Sequence, residues 1–214
     1  HDSCYVYRDN DYWRVPRSAE SQRMPLYRQD VQPLRSDFVR LGLEVELDGL
    51  GRPAVRQSDL EGWDLLLGAV HWIPGGVEGR SLDEVKLVYM EGVRKLLACG
   101  IQVLAHPFRL FHRNRMDRPL ELYGPVARLL SERGVAAEIN FHTNVPDPEF
   151  FALCVRQGVK VAFGSDAHEL REVADLHPHL ALLREAAGRE AVADLLWPPA
   201  SPFRAATTST GACK

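Results

Sequence analysis

Acidic and imidazole side chains follow the apolar runs of this sequence at regular intervals, and together they form a metal-ligand set. Glu44 follows Leu41-Gly-Leu43, and the others lie at or near the carboxyl ends of later runs: His71, His106, Glu138, and the pair Asp166 and His168. No cysteine accompanies them, so the donors are nitrogen and oxygen, which suit Zn, Mn or Fe. Several such side chains at one place would hold two or more ions, bridged by a carboxylate and a hydroxide.

Each of these residues also has a purely structural interpretation. A single histidine at a strand end is often only hydrogen-bonded, and His106-Pro107 is compatible with a simple turn. Asp166 suits a cap of the following segment, and Glu44 suits an edge charge beside Glu46. The metal interpretation depends on the whole set occurring together.

The elements that would position this set alternate along the chain. Apolar runs at 38–47, 65–72, 101–105, 135–139 and 159–163 predict strands. A capping box of Ser81 and Glu84 begins a helix that ends at Gly100. Further helices are predicted at 120–133, after the cap Asp147, and from 174 to about 197. This alternation predicts an α/β fold with a parallel sheet, whose carboxyl-terminal strand ends share one face.

Composition narrows the function classes. The chain has 214 residues, 45% of them hydrophobic, with a formal net charge of -3. We therefore expect one globular domain over 1–197, a disordered tail over 198–214, and neither a nucleic-acid nor a membrane partner. An Arg-rich stretch at about 1–36 predicts a long loop. The four cysteines form no C-x-x-C pair, so we expect free thiols and a cytoplasmic location.

Five short motifs in this order resemble the PHP (polymerase and histidinol phosphatase) family, especially its histidinol-phosphatase-like branch. The resemblance spans roughly 38–175, and its most specific parts are the Gly-x-Glu and Ser-Asp-Ala-His segments. The motifs are Gly42-Leu-Glu44, Gly68-Ala-Val-His71, Ala105-His-Pro107, Glu138-Ile-Asn140 and Gly164-Ser-Asp-Ala-His168.

The resemblance implies a fold and a ligand set. The fold would be a TIM-like, distorted (β/α)7 barrel holding two or three divalent ions (Zn, Mn or Fe). Glu44 would be the bridging carboxylate and would share one ion with His71 and His106. Asp166 would bind a second ion and His168 a third, with the help of His1.

One part of the family pattern does not occur in this sequence. The family opens with a His-x-His pair on its first strand, and no such pair precedes Glu44 here. If His1 corresponds to the family's second-strand histidine, the first strands of the barrel are missing. The resemblance therefore implies an N-terminally incomplete barrel, and this exact chain would be inactive if it is truncated.

The activity implied by the resemblance is hydrolysis of a small phosphomonoester, such as the histidinol phosphate of histidine biosynthesis. Glu44, Asp166 and His168 would be catalytic, and a metal-held hydroxide would attack phosphorus. The residues expected to bind the substrate are Arg109, Arg113, Asn140 and His142. Two alternatives stay open: an amidohydrolase-like enzyme that cuts a C–N bond, and a non-catalytic PHP-like module that binds a partner.

Overall fold

The computed structural model describes residues 23–197, in which helices alternate with parallel strands. The α/β class predicted from the alternating pattern is therefore confirmed, whereas the barrel stays a prediction. The chain divides into two compact units, which in the described part comprise 23–102 and 103–197. The predictions for His1, for the rest of 1–22 and for the tail at 198–214 lie outside the described residues.

The first unit is built on two parallel strands and two helices. The elements are α1 (Arg23–Val31), β1 (Gly42–Val45), β2 (Leu65–Gly68) and α2 (Leu82–Ala98), with short 3-10 turns at Gln32–Leu34 and Gln57–Asp59. β1 and β2 pair in register from Gly42↔Leu65 to Val45↔Gly68. Beyond β2, the Gln102 N–H donates to the Leu66 carbonyl at 2.8 Å. The pairing places the carboxyl ends of β1 and β2 side by side.

Helix α2 covers this strand pair because one of its faces is apolar. Its N-terminus has the predicted capping box: Ser81 accepts from the Glu84 N–H, and Glu84 accepts from the Ser81 N–H. Val85, Val93 and Leu96 are fully buried. Gly92 permits the close approach, because a Cβ there would lie 2.7 Å from Leu47 Cδ1.

The second unit carries three parallel strands in the order β3, β4, β5. Its elements are β3 (Val103–Leu104), α3 (Arg109–Arg113), α4 (Leu120–Arg133), β4 (Ala136–Asn140), α5 (Pro148–Arg156), β5 (Val161–Gly164) and α6 (His177–Ala187), with 3-10 turns at Leu170–Glu172 and Ala193–Leu195. Every residue of β4 is buried, as expected of a central strand covered on both faces.

Aromatic rings form much of the core of the second unit. Phe108 packs on Tyr123 at 4.8 Å and against Phe150 at 5.0 Å between ring centroids. Asp147 caps α5 by accepting from the Glu149 N–H, and the same carboxylate accepts from the Tyr123 hydroxyl at 2.9 Å. These contacts fix α4 and α5 against the loop that follows β3.

The cysteines follow the sequence expectation only in part. Cys154 is a free, fully buried thiol in α5, as predicted. Cys99 is instead disulfide-bonded, so the expectation of free thiols is wrong there. Among the helices of residues 23–197, none has both the length and the apolar character that a membrane crossing requires.

Candidate metal centres

In the first unit, three side chains meet at the carboxyl ends of β1 and β2: Glu44, Glu46 and His71. Glu44 lies on β1, opposite Leu67 of β2, and His71 follows β2 by three residues. Leu43 and Val45 point into the core with no exposed surface, so the alternation of the strand turns Glu44 away from them. The Nε2 atom of His71 lies 3.8 Å from Glu44 Oε1.

Glu46 fixes the orientation of the His71 ring. Its side chain is only 1% exposed, and its Oε1 is hydrogen-bonded to His71 Nδ1. An ionised carboxylate only accepts, so Nδ1 carries the proton and Nε2 presents its lone pair on the side of Glu44. This is the arrangement by which proteins orient metal-ligating histidines. We did not predict a role for Glu46 from the sequence, although an acid two residues beyond Glu44 was a usable signal.

In the second unit, a buried carboxylate holds the backbone of His106. Glu138 Oε2 accepts from the His106 N–H at 2.8 Å and from the Asn140 side-chain amide at 3.2 Å. His106 itself is 2% exposed and has a positive φ of 31°. Gly164 on the neighbouring strand makes room for the carboxylate, because a Cβ there would lie 1.8 Å from Glu138 Oε1. Glu138 thus positions His106, the second residue beyond β3.

Asp166 is ion-paired with Arg109. The Arg109 Nη1 atom lies 2.8 Å from Asp166 Oδ2 and also donates to the His142 carbonyl at 3.3 Å. Burial alone would raise the pKa of Asp166. The hydrogen bond and charge of Arg109, aided by His106 and His142, outweigh burial and bring that pKa below its usual value. Arg109, a predicted phosphate contact, is 4% exposed and already engages this carboxylate.

His142 and His168 lie face to face in the second unit. Their ring centroids are 4.4 Å apart and the ring planes differ by 15°. The His142 N–H donates to Asn140 Oδ1 at 2.8 Å, so Asn140 holds the backbone of this segment. Glu172 completes the group, because one donor atom from each of the three side chains lies within 4.8 Å of the others. The backbone N–H of His168 lowers the pKa of Glu172, which burial alone would raise.

The remaining predicted site residues stand apart from these groups. Arg113 is in the last turn of α3 and is exposed, as a solvated basic helix end would be. His1 lies outside the described residues. The structure therefore gathers Glu44 with His71 in one unit, and Arg109 with Asp166, His142 and His168 in the other.

These donors fit a metal. Imidazole nitrogens and carboxylate oxygens without thiolates are the ligands of Zn, Mn and Fe sites. No protein-family model matches this sequence, and no curated protein shows significant similarity to it.

Proposed function

We propose that this chain carries the metal site of a phosphoesterase that hydrolyses a small phosphomonoester, similar to the histidinol phosphatases of the PHP family. The observation that carries the proposal is the series Glu46, His71, Glu44. A buried carboxylate holds Nδ1 of an imidazole whose Nε2 faces a second carboxylate at 3.8 Å. An imidazole held in this way is prepared to bind a metal ion.

A bound divalent ion would supply a hydroxide nucleophile and neutralise charge on the phosphoryl oxygens. Glu44 and His71 would hold this ion in the first unit, and the resemblance adds His106 as a further predicted ligand. Glu46 would keep the His71 ring in the tautomer that binds. Two or three divalent ions (Zn, Mn or Fe) remain a prediction of the resemblance.

In the second unit, we propose Arg113 of α3 as the group that binds the phosphate anion. Arg113 is exposed and free to turn towards a phosphate, and guanidinium groups match phosphate oxygens. Arg109 would act through Asp166 and the His142 carbonyl, since its Nη1 already bonds both. Asn140 would act by fixing the His142 backbone rather than by touching the substrate.

The non-catalytic PHP-like module remains the second candidate, because of one observation. The Arg109 guanidinium lies 2.8 Å from the Asp166 carboxylate and neutralises its charge. A protein cation in such a position can stabilise a fold that has no reaction to catalyse. For the C–N hydrolase we find no supporting contact among residues 23–197.

The test is release of inorganic phosphate from histidinol phosphate by the full chain with Mn²⁺, with and without chelator. Chelator-sensitive release that is lost in Glu44→Gln and His71→Ala supports the proposal. Glu61→Gln, at an exposed acid of the same unit, is the matched control and should keep full activity. Release that persists in Glu44→Gln and His71→Ala would overturn the site assignment. Absence of both metal binding and release would favour the module.

A further inference from the structure

The loops after β4 and β5 carry a second set of metal donors that the proposed phosphoesterase site does not use as a group. It consists of His142, two residues beyond β4, and of two residues after β5: His168, and Glu172 at the end of the 3-10 turn Leu170–Glu172. One donor atom from each lies within 4.8 Å of the other two. All three belong to the second unit.

We propose that His142, His168 and Glu172 bind a divalent transition-metal ion, such as Zn²⁺, through two imidazoles and one carboxylate. His142 would then be a metal ligand and not a substrate contact. The site shares His168 with the proposed phosphoesterase but does not depend on that activity. Three protein donors leave a fourth position for water, as in open zinc sites.

The His168 ring already has the tautomer that binds a metal. Its Nδ1 lies 2.7 Å from the Asp166 carbonyl oxygen. A carbonyl only accepts, so Nδ1 carries the proton and the neutral ring keeps its lone pair on Nε2. A hydrogen bond from the second nitrogen to a backbone carbonyl is a common support of metal-ligating histidines.

Glu172 is anchored without losing its capacity to bind. Its Oε2 accepts from the backbone N–H groups of His168 at 2.8 Å and of Glu169 at 3.2 Å. Both hydrogen bonds use the same oxygen, so Oε1 can coordinate an ion while the turn stays closed. The anchored carboxylate would therefore lose little side-chain freedom on binding.

His142 is held from its backbone on both sides. Its N–H donates to Asn140 Oδ1 at 2.8 Å, and its carbonyl accepts from Arg109 at 3.3 Å.

Ligand atoms of a tetrahedral zinc site lie about 3.3 Å apart, given Zn–N distances near 2.0–2.1 Å. The present donor separations of up to 4.8 Å therefore require side-chain shifts of about an ångström. The exposed His168 ring has room for such a shift.

Asp166 is the competing ligand in this unit, and its contacts argue against it. Its Oδ2 is bonded to the buried Arg109 at 2.8 Å, so a metal there would face a guanidinium. The backbone carbonyl of Asp166 instead positions His168. Asp166 is accordingly a positioning residue of the site and not a ligand.

The test is titration of the full chain with Zn²⁺ by calorimetry, and with Co²⁺ by visible absorption, which reports the ligand set. His142→Ala and Glu172→Gln should each abolish one equivalent of binding or weaken it by about 10–100-fold or more, the range typical even of outer-shell changes. Gln keeps an oxygen that accepts the two N–H bonds, so Glu172→Gln tests ligation and not the turn. His177→Ala removes an imidazole that is 98% exposed and should leave binding unchanged.

The outcomes separate this inference from the proposed phosphoesterase. Absence of metal binding by the full chain, or unchanged binding in both His142→Ala and Glu172→Gln, overturns the second-unit site. Glu44→Gln and His71→Ala should leave the equivalent bound by His142, His168 and Glu172 intact. If phosphate release fails while His142→Ala still removes one equivalent, the inference stands and only the proposed activity is lost.

Discussion

Replacement of Gly164 by alanine should destabilise the second unit through Glu138. The added Cβ would lie 1.8 Å from Glu138 Oε1 and 2.7 Å from its Cδ, so the whole carboxylate must retreat by more than about an ångström. That movement breaks the 2.8 Å hydrogen bond from the His106 N–H. The backbone at Gly164 has an ordinary φ, so the effect is steric.

The magnitude follows from two costs. Overpacking a buried site costs about 1–3 kcal/mol, and loss of a hydrogen bond to a charged group costs about 1.5–3 kcal/mol. We therefore expect Gly164→Ala to lower the free energy of unfolding by about 3–5 kcal/mol, a large share of the about 5–15 kcal/mol of a typical domain.

Urea unfolding followed by circular dichroism measures this effect. Gly124→Ala is the matched control, because a Cβ at Gly124 in α4 meets nothing within 4 Å. It should change stability by no more than about 1 kcal/mol. Ordinary surface substitutions change the free energy of unfolding by about 0.5 kcal/mol or less. If the free energy of unfolding of Gly164→Ala lies within that range of the wild-type value, Glu138 is not the fixed support of His106.

Three further predictions concern single contacts. Glu46→Gln keeps the volume but removes the buried charge that holds His71, so metal affinity should fall about 10–100-fold, measured by titration with Mn²⁺; an unchanged affinity would deny Glu46 its orienting role. Because the pKa of Asp166 is lower in the folded protein, the ionised carboxylate stabilises the fold at pH values above the pKa of the unfolded state, about 4. This contribution is lost as the pH falls through the pKa of the folded state. Asp166→Asn should therefore lose less stability between pH 6 and about pH 3 than wild type in urea melts; equal losses would contradict this. Tyr123→Phe should cost about 1 kcal/mol in the same melts by removing the 2.9 Å bond to Asp147, and no loss would mean that this bond is not stabilising.

Local rules predicted the helices well. The capping box at Ser81 begins α2, the predicted helix at 120–133 matches α4, and Asp147 caps α5 as expected. Each of these signals is contained within a few neighbouring residues. The predicted helix at 174–197 is too long, because Gly188 in the left-handed region ends α6 at Ala187.

Elements without a strong apolar pattern were predicted poorly. α1 lies where a loop was expected, since RMPLYRQDV contains polar residues on every side and depends on tertiary contacts. Those contacts include the Arg28 guanidinium 4.8 Å above the Trp63 ring. The strands were correctly located but are shorter than their apolar runs. For example, β1 covers only Gly42–Val45 of the run at 38–47.

The candidate ligands could be identified from the sequence, but their partners could not. Acidic and imidazole residues after apolar runs are visible in one dimension, and this signal located Glu44 and His71. The pairing of Glu46 with His71 and of Arg109 with Asp166 depends on side-chain packing over separations of 25 and 57 residues. Such contacts have no local signature. The acid two residues beyond Glu44 is visible in the sequence, but its hydrogen bond to His71 is not.

The central claim is that the imidazole held by Glu46 binds a metal together with Glu44. The most direct test is anomalous X-ray scattering from crystals of the full chain grown with Mn²⁺. We expect an anomalous peak within coordination distance of both His71 Nε2 and a Glu44 carboxylate oxygen. Manganese found only at other sites, or no peak while the crystals contain manganese, would contradict the account.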